Sequence, residues 1–126
     1  MSPPLPPAPA HLEPWVRILG PEAVVEFLLA YGGGELYLPR GRPHDGVAAV
    51  VGAEVAMTLA QAADRLPRRV PTAKPWLAHV LRGRGLSVTE IARRLHVSDV
   101  AVRAMLRRDP RSGQPVPDGP AQPRLL

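Results

Sequence analysis

Proline placement divides this chain before any other feature does. Six of its 17 prolines fall in residues 1–14 and five in residues 110–126, leaving six for the 95 residues between. Each proline removes a backbone donor and fixes φ near −65°, so neither end can carry a regular helix or a central strand. Residues 1–13 and 110–126 are therefore expected to be solvated, disordered tails, with a ligand for a proline-recognising module as the less economical reading. The fold must come from the middle. At 45% hydrophobic residues the chain is rich enough for a core, though too short for a large enzyme cleft.

Other exclusions follow quickly. With no cysteine, disulfide frameworks, thiolate zinc sites and cysteine nucleophiles are absent. No apolar run is long enough to span a membrane, and Met1–Ala10 has no basic region resembling a secretory leader. The expectation is a cytoplasmic protein of a bacterial host, associated with the nucleoid, with no membrane partner and no cofactor. His11, His44, His79 and His96 are scattered without paired spacing, and no acidic cluster accompanies them. Metal-dependent or nucleophilic catalysis therefore has no candidate residues, and His44-Asp45 reads as a helix cap.

Charge is as unevenly placed as proline. Residues 1–72 have six basic and seven acidic side chains, whereas residues 73–111 have nine basic and three acidic ones, a net of +6. A concentrated basic segment is the electrostatic footprint of a phosphate-binding surface, although a merely solvated basic face has the same composition.

Within that segment the spacing is specific. A helix is expected through Trp76, Leu77, Val80 and Leu81, capped by Thr72 and stopped by Gly83-Arg84-Gly85. Ser87-Val88-Thr89-Glu90 is a capping box opening a second helix to Leu95, and Ser98 caps a third that reaches about Arg108. Ile91, Leu95, Val97, Val102 and Met105 occupy the apolar positions of a helix-turn-helix, and Ala92 the small one. His96 stands where the turn usually carries glycine. Outward on the third helix lie Ser98, Asp99, Val100, Arg103 and Arg107, the candidate base-reading residues. Arg103 suits guanine O6 and N7, and Val100 or Ala101 a thymine methyl. Asp99 is placed to accept from a cytosine amine or to orient Arg103. Ser87, Thr89, Arg93, Arg94 and Arg108 lie where phosphates would pass.

The near-neutral half contains a partial 32-residue repeat. Gly20, Glu22, Ala30, Pro39 and Pro43 recur as Gly52, Glu54, Ala62, Pro71 and Pro75. In each copy a glycine ends one apolar turn and an amphipathic helix follows. In the first copy Gly32-Gly33-Gly34 caps that helix, and the alternation of Glu35-Leu36-Tyr37-Leu38 predicts a short strand. The glycines follow the helix, the reverse of a phosphate loop. In the second copy Arg68-Arg69-Val70 stands in place of the strand. Units this small need a covering surface; the second domain could provide it, but an intertwined homodimer is the expected one, with Val24, Phe27, Leu28, Leu36, Tyr37 and Leu38 at the interface.

The motifs Leu19-Gly20-Pro21-Glu22-Ala23, Gly33-Gly34-Glu35-Leu36-Tyr37-Leu38-Pro39 and Gly85-Leu86-Ser87 leading to Glu90-Ile91-Ala92-Arg93-Arg94-Leu95 resemble the Mor transcription activator family, middle- and late-operon regulators of Mu-like phages. The resemblance spans roughly residues 15–108. It implies a homodimeric, mainly α protein: an N-terminal helix-and-short-strand dimerisation domain (residues 14–71) and a C-terminal three-helix helix-turn-helix domain (72–109). It also implies activation at a promoter on double-stranded DNA with recruitment of RNA polymerase. A strand near the junction would approach DNA: by position it is Arg68-Arg69-Val70-Pro71, by sequence motif Gly33-Gly34-Glu35-Leu36-Tyr37-Leu38-Pro39. The competing reading is a phage assembly or DNA-packaging adaptor, which a ring of more than two subunits would favour.

Overall fold

The structure, a computed structural model, describes residues 5–112. Its helices follow the sequence punctuation closely. Glu13–Leu19 (α1) and Pro21–Tyr31 (α2) are separated by the single residue Gly20; Asp45–Val51 (α3) and Ala53–Gln61 (α4) are separated by Gly52. Lys74–Gly83 (α5), Val88–Leu95 (α6) and Asp99–Leu106 (α7) complete the fold, with 3-10 turns at Ala10–Leu12 and Ala63–Arg65.

The repeat is carried into backbone detail. Gly20 and Gly52 have φ of 89° and 95° with ψ of 164° and 157°. The Gly20 amide donates to the Val16 carbonyl and the Gly52 amide to that of Ala48, both at 2.8 Å. The Gly20 and Gly52 carbonyls then accept from Val24 and Ala56, both at 3.0 Å. Each pair is offset by 32 residues. Besides the contacts inside each hairpin, α1 packs on α4 and α2 on α3. Those pairs exchange when the hairpins are interchanged, as in an internal two-fold arrangement. Pro21 opens α2 as expected, and the His44 side chain caps α3, its Nδ1 accepting from the Val47 amide at 3.2 Å.

Three expectations are corrected. Among the described residues there is no strand of regular length: Glu35 forms one isolated antiparallel bridge with Arg69. The Leu36 amide donates to the Arg68 carbonyl, while the Gly33 and Val70 amides donate to the Val70 and Gly34 carbonyls. Pro67 and Pro71 bracket the partner segment and leave only three residues able to pair. Residues 5–13 are not a solvated tail. Leu12 is buried, Leu5 and Ala8 rest on the core, and Glu13 opens α1; the tail expected from residue 110 lies beyond the described residues from 113 onward. Thr72 does not cap α5, which starts at Lys74 with Ala73 in the cap position and no side-chain bond.

The core is continuous across the expected domain boundary. Trp15, Phe27, Leu59, Trp76, Leu81, Ile91 and Val102 belong to one buried cluster, with α2 packed on α5. The Trp15 and Phe27 rings stack at 5.5 Å between centroids, and Tyr31 meets Phe27 at 5.4 Å. The residues assigned to a dimer face are largely used up here. Val24, Phe27, Leu28 and Leu36 are buried in the chain's own core, because the second hairpin and α5 cover what a partner chain was expected to cover. Tyr37 is exposed and Leu38 half-buried.

Candidate nucleic-acid interface

Residues 74–106 form a three-helix unit in which α5 packs on both α6 and α7. Both bonds of the expected capping box are made. The Ser87 amide donates to Glu90 Oε1 at 2.8 Å, and the Glu90 amide donates to the Ser87 hydroxyl oxygen at 3.2 Å. The Ser87 amide, then the Ser87 side chain, hold the Glu90 carboxyl below its ordinary 4.5. A slight desolvation opposes them, and the Arg93 charge adds a smaller downward pull.

The turn between α6 and α7 is set by His96, at φ 59° and ψ 48°, the left-handed geometry glycine usually supplies. The Ser98 hydroxyl accepts from the Ala101 amide at 3.0 Å and starts α7. Ile91, Ala92, Leu95 and Val102 are buried, with Val97 and Met105 partly buried against the core. All six helix-turn-helix positions thus face inward as the spacing requires. Two contacts fix the crossing from outside. Thr89 Oγ1 donates to Asp99 Oδ2 at 3.3 Å, and His79 Nε2 lies 2.8 Å from the Arg108 carbonyl.

What remains outward on α7 is a compact set. Val100 is 71% exposed, the most exposed large apolar side chain among the described residues. Arg103 and Arg107 are exposed, one turn apart, and their guanidinium groups make no hydrogen bond or ion pair among the described residues. Ser98 and Asp99 are engaged by the cap and by Thr89, so Asp99 positions α7 and does not pair with Arg103. Ser87, Thr89, Arg93, Arg94 and Arg108 are exposed along α6 and after α7. Arg68 and Arg69 stand apart on the bridge segment. The Arg68 guanidinium lies 5.1 Å from the centroid of the Tyr37 ring, and Arg69 Nη1 donates to the Gly33 carbonyl at 2.8 Å.

No protein-family model, curated protein or solved structure matches this chain. Among the described residues no three His, Asp or Glu side chains gather to hold a metal, and no helix is long and apolar enough to cross a membrane. The Thr89–Asp99 tie escaped the sequence reading because its partners lie on different helices. Lys74, counted only as part of the basic segment, and His96, read only as the turn residue, lie together in the structure. They border, with Arg94, a hollow of about 190 Å³ between α2, α5 and α6.

Proposed function

We propose that this chain is a sequence-specific DNA-binding transcription regulator in which α7 enters the major groove. The observation that carries the reading is the outward face of α7. Exposed Val100, Arg103 and Arg107 follow one another along one face of α7 and its C-cap, while the opposite face is locked by the helix-turn-helix core. A planar guanidinium matches guanine O6 and N7, and a branched apolar side chain matches a thymine methyl. The arginines of α6 supply the sequence-independent attraction that makes such binding steep in salt.

The family resemblance extends the proposal to an activator of Mor type that binds as a homodimer and recruits RNA polymerase. With Val24, Phe27, Leu28 and Leu36 inside the core, the dimer contact is assigned to the surface around Tyr37 and Leu38. Arg68 and Arg69, on the same bridge, would then reach the backbone of the bound duplex.

The test compares a duplex isolated by in vitro selection with a random duplex across a salt series. Arg103→Ala is expected to cost about 1–3 kcal/mol on the selected site and little on the random one. Arg93→Ala should weaken both alike and reduce the salt slope by about one. Equal losses on both duplexes for Arg103→Ala would remove its base-reading role, and no binding of wild type to any duplex would overturn the function.

A further inference from the structure

Leu5–Pro9 runs without helix or strand, and Pro9 has φ −58° and ψ 153°, polyproline II values. Besides the local Leu12 amide to Pro9 carbonyl bond, one directed long-range bond among the described residues holds the segment: the Trp76 indole N–H donates to the Pro6 carbonyl at 3.1 Å, across 70 residues of sequence. An extended proline-rich backbone has no internal hydrogen bonds, so its carbonyls are free to accept, and its ordering cost is already low. An aromatic floor with an indole donor aimed at such a carbonyl is the chemistry by which grooves recognise polyproline ligands.

The groove extends beyond the segment that sits in it. A hollow of about 280 Å³ opens between Leu5, Pro6 and Ala8 on one side and Val16, Arg17 and Trp76 on the other. A second, of about 480 Å³, opens between Pro9, Pro75, Trp76 and Pro110. Trp76 itself is 1% exposed. Its indole is part of the core on one side and the floor of the groove on the other.

We propose that the groove between α1 and α5 around Trp76 is a polyproline-binding site, occupied in cis by Leu5–Pro9, whose ligand in trans is a proline-rich peptide in the polyproline II conformation. The partner's chemistry is argued from the occupant. Whatever displaces Leu5–Pro9 must offer a carbonyl to the Trp76 N–H and small, rigid apolar side chains to the hollows beside it. The tethered segment competes at the millimolar effective concentration of a short linker, so a trans ligand binds weakly until the cis segment is loosened. The site is independent of the DNA reading, and its test contains no DNA.

The experiment follows the Trp76 indole N–H resonance of the full chain during titration with a synthetic peptide, SPPLPPAPA, identical to residues 2–10. The control peptide has every proline replaced by glycine. Wild type should show a saturable shift with the proline peptide only. The double substitution Pro6→Gly and Pro7→Gly, which loosens the cis segment and leaves the α1 and α5 walls and Trp76 unchanged, should bind the same peptide about tenfold more tightly. No saturable shift in either protein up to millimolar peptide would overturn the proposal and leave Leu5–Pro9 as a structural clamp. Equal affinity in both would also overturn it, since the peptide would then not share the cis segment's seat. If the double variant fails to fold, the wild-type titration decides alone: a saturable, proline-dependent shift supports the site and its absence refutes it.

Discussion

His96 is the one non-glycine residue with positive φ among the described residues, and it sits at the turn that sets how α6 presents α7. A β carbon in this region crowds the following carbonyl, and histidine has only a polar ring to offset that. Replacement by glycine is expected to stabilise the fold by about 1 kcal/mol, and by valine to destabilise it by about 1–2 kcal/mol. Denaturant midpoints with an unchanged slope would check both. Glu90, three residues after the Ser87 cap of α6, yields a pH prediction with a definite sign. Its folded carboxyl titrates below 4.5, so the box contributes stability that is fully present above 4.5 and lost as pH falls through the lower folded value. Glu90→Gln keeps an acceptor but cannot titrate. The stability gap between wild type and Glu90→Gln should therefore shrink as pH drops below 4.5, and a gap independent of pH would show that the carboxylate charge plays no part.

At the scale of elements, the paired hinges at Gly20 and Gly52 make the repeat testable. Their dihedrals lie in a region that is essentially glycine-only, and a β carbon at either would meet nothing within 4 Å. Any cost of substitution is thus backbone strain alone. Gly20→Ala and Gly52→Ala should each lower stability by about 1–3 kcal/mol and by similar amounts, measured by thermal unfolding. A neutral result at one of them would break the equivalence. These hinges were legible in the sequence because glycine, proline and glutamate keep their order at an offset of 32. The capping box and the inward positions of α6 and α7 were legible for a different reason: the residues that specify them are near neighbours. The strand was misread because alternation in Glu35–Leu38 says nothing of its partner's length, which Pro67 and Pro71 cut short. Leu5–Pro9 was misread because counting lost donors ignores carbonyls that accept, and the Trp76 bond spans 70 residues without a local signal.

The molecule as a whole behaves as one packing unit, and this bears on how a signal at α7 would be felt elsewhere. The buried cluster runs from Leu12 to Val102, and the Glu26 carboxylate lies 3.6 Å from Arg84 across the expected domain junction. That pair is partly exposed and contributes little; the apolar contact beneath it is what joins the halves. Phe27, buried between Trp15 and Tyr31, is the most informative place to cut. Phe27→Ala removes a large ring from a site with little room to collapse and should cost about 3–5 kcal/mol, a large part of the stability of a domain this size. If the core is one cooperative unit, amides of α7 must lose hydrogen-exchange protection together with those of α2, although α7 lies well outside the substituted hairpin in sequence. Retained protection in α6 and α7 with loss confined to α1–α4 would instead separate the two halves. Under the cooperative outcome, any ligand of α7 that binds only the folded state stabilises the Trp76 groove and the paired hairpins by the same free energy. Occupancy at one end of the chain would then be readable at the other as a rise in a single unfolding transition.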